Sequence, residues 1–188
     1  MNFHHVSVLR QETIDNLVTN PDGIYVDCTL GGGGHTYALA QRLHPDAVIV
    51  GLDQDKDAIA AATARLADIP CRHILVQRNF SCLNEVLDTL GIETVDGIMF
   101  DLGVSSYQLD TPERGFSYMQ DGPLDMRMDN SRGKSAYDVV NTYGQEELYH
   151  IIKEYGEERW AKRIAAFIVE ARREKPIERT SELVSVIK

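Results

Sequence analysis

Four short apolar runs, each followed by a helical pattern or a marked change of texture, constrain this chain more than any other feature. Ile24–Asp27 closes on an acid and runs into four consecutive glycines. Residues 47–52 are apolar throughout, the mark of a strand covered on both faces. Residues 73–77 and 97–101 supply a third and a fourth run. Between them, residues 37–43 carry Ala38, Leu39 and Leu43 at helical spacing, and residues 55–66 are alanine-rich, with Asp53 and Asp55 near the start where carboxylates favour the helix dipole. Leu83, Val86, Leu87 and Leu90 fall on one helix face, stopped by Gly91. Such alternation predicts an α/β fold built on a doubly wound parallel sheet.

After Asp101 the texture changes. Residues 102–135 are rich in Gly, Ser, Asp and Pro and show no sustained period, which predicts a long functional or disordered loop. Beyond it the pattern is helical. Thr142-x-x-Gln145 predicts a capping box before Leu148, Ile151, Ile152 and Tyr155, with Gly156 as the stop. Trp160, Ile164, Phe167, Ile168 and Ala171 share one face of a helix that Pro176 ends. Thr180 opens a last helix with no stop signal before Lys188. Four strands leave the fourth as an open edge, so the expectation is an incomplete fold, truncated at Lys188.

Composition removes several classes. A chain of 188 residues is long enough for one domain and a fraction. With 43% hydrophobic and 26% charged residues it is not a disordered polymer. No apolar run approaches a membrane span, and Met1-Asn-Phe-His-His-Val is not a signal peptide. Cys28, Cys71 and Cys82 are odd in number with no CxxC, which reads as reduced, buried thiols in a cytoplasmic protein rather than a disulfide framework or a zinc knuckle. No His/Cys/carboxylate cluster has metal-ligand spacing, so no metal is expected. His4 and His5 read as N-terminal surface or packing residues. The net charge of −10 is uneven: residues 1–130 hold eight basic against nineteen acidic residues, and residues 131–188 eleven against ten. That acidity opposes non-specific nucleic-acid coating. Arg159, Lys162, Arg163, Arg172, Arg173 and Lys175 nevertheless cluster, either as a local RNA-facing surface or as an ordinary solvated helix face.

The motif Asp27-Cys-Thr-Leu-Gly-Gly-Gly-Gly-His35 sits at a strand-to-helix junction, where nucleotide-like cofactors bind in this architecture. Four glycines remove every Cβ from the turn and let backbone N–H groups approach a ligand. Counted from Gly31, the sixth position is Thr36, so the dinucleotide pattern G-x-G-x-x-G is not met and a nicotinamide oxidoreductase is the weak reading. Asp53 ends the second run, where a carboxylate accepts from both ribose hydroxyls; helix capping is its other role, one Asp55 can serve. Phe80 follows the third run and serves equally as an adenine platform or as core. Asp101 ends the fourth, facing cofactor or substrate. An adenosyl group, one acid on the ribose diol and a glycine turn without a pyrophosphate pattern together suggest S-adenosylmethionine.

Those motifs, with Asp101-Leu-Gly-Val-Ser-Ser106, Gln108-Leu-Asp110, Arg114-Gly-Phe-Ser117, Asp121-Gly-Pro-Leu-Asp-Met-Arg-Met-Asp129 and Tyr155-Gly-Glu-Glu-Arg159, closely resemble the bacterial 16S ribosomal RNA cytosine-N4 methyltransferase H (MraW) family. The resemblance runs from about His4 to Lys188. It implies a class I S-adenosylmethionine-dependent methyltransferase of Rossmann-like fold, with a helical insertion after the fourth strand. Residues 1–106 would be the N-terminal part of the cofactor domain and 107–188 a loop and truncated helical substrate-recognition insertion. It implies S-adenosylmethionine as cofactor, held by Gly33, Gly34, His35, Asp53, Phe80, Asp101 and Gln108. It implies 16S rRNA in the small ribosomal subunit as partner, methylated on the N4 amine of a decoding-region cytidine.

Members of that family are longer, with a Ser-Phe-His-Ser-Leu-Glu-Asp-type motif absent here, and Asp101-Leu-Gly-Val104 stands where many amino-methyltransferases carry a Pro-Pro-aromatic motif. A non-catalytic fragment retaining partial cofactor or RNA contacts is therefore the alternative expectation. No catalytic residue is assigned: Asp101 is an acceptor for the amine or a cofactor contact, and Tyr107 and Phe116 stack on the base or belong to the core. A homodimer is left open.

Overall fold

In the computed structural model, residues 9–188 are described, so His4 and His5 lie outside the described residues. The chain forms two compact units, the first ending at Gly103 and the second comprising Val104–Lys188.

The first unit runs α1 (Arg10–Leu17), β1 (Ile24–Asp27), α2 (Gly34–Ala40), β2 (Val48–Asp53), α3 (Lys56–Arg65), β3 (Arg72–Gln77), α4 (Leu83–Leu90) and β4 (Gly97–Met99), with a 3₁₀ turn at Phe80–Cys82. All pairings are parallel and the spatial order is β3-β2-β1-β4. Strand alternation sorts the side chains onto two faces. Tyr25 and Ile49 pack with Ile14 of α1 and with Leu39 and Ala40 of α2. Val26, Val50 and Leu52 point the other way, onto Val86, Leu83 and Leu87 of α4. Leu75 returns to the first face, beside Leu30 and with Ala62 and Leu66 at α3. Gly51 makes that last contact possible, because a Cβ there would stand 2.9 Å from both Leu30 and Leu75. The sheet is therefore doubly wound, as the buried runs predict.

β4 is shorter than its apolar run. Its ladder with β1 ends at the Asp27–Met99 pair, because β1 turns into the glycine loop there. The Asp101 N–H instead donates to the Thr29 hydroxyl at 2.6 Å. α1 has no counterpart in the apolar pattern, since only Ile14 of its eight residues is buried.

The second unit contains α5 (Ser106–Asp110), a 3₁₀ turn at Pro112–Arg114, α6 (Ala136–Thr142), α7 (Gln145–Glu154), α8 (Ala161–Ala171) and α9 (Thr180–Ile187). Its core is Leu124, Val140, Leu148, Ala165, Ile168 and Ile177. The stretch 102–135, expected to be a functional or a disordered loop, is tied down by polar contacts rather than by periodic apolar ones. The Arg114 guanidinium donates to the carbonyls of Arg127 and Met128, the Leu124 N–H to the Glu178 carbonyl, and the Gly122 N–H to the Thr180 hydroxyl.

Two helix readings are corrected. Thr142 does not cap α7; its hydroxyl donates back to the Asp138 carbonyl within α6. The capping box belongs to Ser135 and Asp138, while α7 starts with the Gly144 N–H donating to Glu147. On α8 the buried face is Ala161, Ala165 and Ile168, and both Trp160 and Phe167 stand exposed. Arg172 is not a free cation either. It donates to the carbonyls of Val140 and Tyr143 at 2.6 and 2.5 Å, capping the end of α6. No helix of the described residues is long and apolar enough to cross a membrane.

Candidate functional site

Four parallel strands place the loops after β1, β2, β3 and β4 along one rim. The chain reverses direction across the sheet between β1 and β4, and loops leaving such a pair diverge and open a crevice. A cleft of about 200 Å³ lies there, lined by Asp27, His35, Met99, Phe100 and Asp101, with Leu9 and Thr13 beside them.

Asp27 closes β1 and is only 2% exposed. Its carboxylate accepts from the Thr36 hydroxyl at 2.6 Å and the Thr29 N–H at 3.1 Å. Burial pushes its carboxyl up to about 6, against the pull of those two bonds. Asp53 closes β2 and reaches across the rim, accepting from the Gly31 N–H at 2.8 Å and from the Asp55 N–H at 2.9 Å. Burial raises this carboxyl as well. Asp55, not Asp53, caps α3, accepting from the Asp57 N–H.

The glycine turn is shaped by backbone demands. Gly31 and Gly33 take φ of 50° and 75°, and a Cβ on Gly33 would press on Ala62 at 3.3 Å. Gly34 begins α2. His35 follows, nearly buried, with Nδ1 3.7 Å from Asp101 Oδ2: beyond a hydrogen bond, within electrostatic reach. Phe80 is not core. It stands partly exposed on the 3₁₀ turn after β3 and meets the Phe100 ring edge-on, centroids 5.6 Å apart.

Six of the seven expected cofactor residues thus sit on one rim of the first unit. Gln108 belongs to the second unit, where its side chain accepts from the Ser105 N–H and the Ser105 hydroxyl accepts from its own N–H. The sequence reading left out Asp27, Thr29 and Phe100. Asp27 carried a signal, an acid at a strand end separated from the four glycines by Cys28-Thr29-Leu30. The hydroxyl link from Thr29 to Asp101 spans residues far apart in the chain and has no local signature.

The profile of the MraW methylase family matches residues 2–188. The chain belongs to the MraW methylase family. It is 57% identical over 188 residues to "Ribosomal RNA small subunit methyltransferase H" of Clostridioides difficile strain 630, covering 100% of this chain and 60% of that relative. It is 57% identical over 186 residues to the protein of the same name from Geotalea uraniireducens strain Rf4, covering 99% and 60%. The chain therefore spans about 60% of the length of these curated relatives. Among solved structures, a chain named as an rRNA-methylase from Clostridium thermocellum is 25% identical, with a TM-score of 0.46 over 53% of this chain and 54% of that one.

In this chain the rim is acidic. Asp27, Asp53 and Asp101 flank the glycine turn, and among the described residues none of the three forms an ion pair with a lysine or arginine. Carboxylates with spare lone pairs suit hydroxyls, amines and cations, and they repel phosphate.

Proposed function

We propose that this rim seats S-adenosylmethionine, and that the protein methylates the N4 amine of a cytidine in the decoding region of 16S rRNA within the small ribosomal subunit. The observation that carries the reading is the set of three carboxylates around a glycine turn that, among the described residues, form no ion pair with a lysine or arginine. A pyrophosphate would meet repulsion there. A sulfonium and an ammonium would meet compensating charge, and a ribose diol would meet an acceptor already fixed by two backbone N–H groups.

The residues present fit the cofactor chemically. Asp53 would accept from the ribose hydroxyls, Phe80 with Phe100 would offer an aromatic face to adenine, and the turn at Gly33, Gly34 and His35 would face the methionyl end. When bound, the cofactor supplies an electrophilic methyl group. Cytosine N4 is a poor nucleophile because its lone pair is delocalised into the ring, so the site must hold the amine in line and accept a hydrogen bond from it. Asp101, exposed at the cleft mouth, would accept that N–H and hold its proton as positive charge develops. The base must leave its stack to reach the rim. The first unit, ending at Gly103, would serve the cofactor and the second, from Val104, the RNA, where the sequence reading put the division at residues 106–107. The same reading makes the protein cytoplasmic.

Two measurements test this. Isothermal titration should show saturable binding of S-adenosylmethionine and none of NAD; NAD binding without S-adenosylmethionine binding overturns the reading. Labelled methyl should pass to unmethylated 30S subunits and appear as N4-methylcytidine on nuclease digestion. Label on another base or another atom would discard the cytidine assignment.

A further inference from the structure

The motif Tyr155-Gly-Glu-Glu-Arg159 joins α7 to α8 within the second unit. A Cβ on Gly156 would lie 2.7 Å from the Ile152 carbonyl oxygen, so only glycine fits. Glu157 then takes a left-handed φ of 49°, a conformation unfavourable for any residue with a Cβ. The Trp160 N–H donates to the Glu158 carboxylate at 2.7 Å, fixing the start of α8. This strained, well-braced turn leaves three aromatics in solvent: Tyr155 is 86% exposed, Trp160 55% and Phe167 40%.

Arginines lie over two of these rings. The Arg159 guanidinium is 5.4 Å from the Trp160 centroid, and Arg163 is 5.1 Å from that of Phe167. Positions 160, 163 and 167 follow helical spacing, so Trp160, Arg163 and Phe167 form one stripe along α8, with Lys162 beside it. Glu154, Glu157 and Glu158 flank the turn, but from Arg159 to Val169 the chain carries no acid. In a protein with net charge −10, a cationic stripe interleaved with exposed rings is a local exception.

We infer that this stripe is a stacking platform for unpaired RNA bases, the aromatic rings taking base faces and Arg159, Lys162 and Arg163 taking the adjoining phosphates. Planar rings and guanidinium groups stack on any base, and cations at helical intervals match a single strand's backbone. The inference rests on the reading of RNA as substrate and adds where, and in what form, the RNA is held.

The chain contains a single tryptophan, so its fluorescence reports Trp160 alone. A short unstructured oligoribonucleotide should quench that emission, and a duplex of the same length should do so far less. By fluorescence anisotropy of the labelled oligonucleotide, Trp160→Ala and Arg163→Ala should each weaken binding about tenfold. Trp160→Phe should retain most of it, and Arg173→Ala, whose cation is paired with Glu170, should leave it unchanged. Circular dichroism checks folding, and Arg163→Gln substitutes if an alanine variant unfolds. Undiminished RNA binding by these variants, with Trp160 emission unmoved, overturns the platform and leaves RNA methylation standing. Emission that changes with protein concentration in the absence of RNA overturns it in favour of a face covered by a second copy. Absence of oligonucleotide binding by either readout overturns it too, while methyl transfer to 30S subunits judges the functional reading separately.

Discussion

Burial raises the Asp27 carboxyl to about 6, while the Thr36 hydroxyl, the Thr29 N–H and the neighbouring His35 pull it down and Asp53 pushes it further up. From about pH 4 to about pH 6 the folded protein therefore holds a proton that the unfolded chain has released. Stability contributed at this residue is greatest below pH 4, falls through that window and is level above it. The shift from 3.8 corresponds to roughly 3 kcal/mol against folding at neutral pH. Asp27→Asn keeps the shape and an acceptor for the Thr29 N–H and removes the ionisation cost. Its melting temperature should exceed that of the parent protein at pH 7–8 and converge with it near pH 4, as calorimetry across that range would read. Asp53 has a different prediction. Its oxygens are already fixed by Gly31 and Asp55, so Asp53→Ala should cost two charge-assisted hydrogen bonds to a ribose, about ten- to a hundredfold or more in S-adenosylmethionine affinity by titration, with circular dichroism intact. Unchanged affinity would remove Asp53 from the ribose role.

Helices of the second unit are braced at their ends as well as packed through their sides. Arg172 holds the two carbonyls that close α6, whereas its neighbour Arg173 only pairs with Glu170 in solvent. Arg172→Ala should lower unfolding stability by about 1.5–3 kcal/mol in urea, and Arg173→Ala by less than about 0.5. This pair also shows where reading the sequence stops. Both arginines look alike on a helical wheel, and only the fold brings the ends of α6 against Arg172. The strands were legible because the interior runs through β1 and β2 leave little other choice. Short helices were not. α5 rests on the Ser105–Gln108 capping box, a signal present in the sequence but set inside a stretch with no apolar period. α1 buries one side chain, and a period cannot be read from a single point. For α8 the apolar residues were counted as one inward face, but Trp160 and Phe167 are paired with arginines in solvent, and the small Ala161 and Ala165 are buried instead.

Across the whole molecule, a net charge of −10 repels polyanions, so the proposed RNA binding would have to come from a few local contacts. If Arg159, Lys162 and Arg163 are the cations that meet phosphate, a plot of log affinity against log salt for a single strand should slope at about −2. A slope steeper than about −4 would mean that additional basic residues take part. At this scale the candidate rim was largely readable, because strand-end acids and a glycine cluster are local features that topology then gathers. The Thr29–Asp101 and Phe80–Phe100 contacts were not, since each joins loops whose proximity exists only after the strands order themselves as β3-β2-β1-β4.

The acid at the end of β1 sets two selective pressures against each other. Breeding this protein for heat tolerance alone would discard Asp27 early, since the neutral amide folds at less expense, and the survivors would be sturdier and, on the proposed reading of the rim, less able to hold a positively charged guest. Persistence of the acid through such a regime, when ligand handling is also demanded, would mark it as retained for use rather than for architecture.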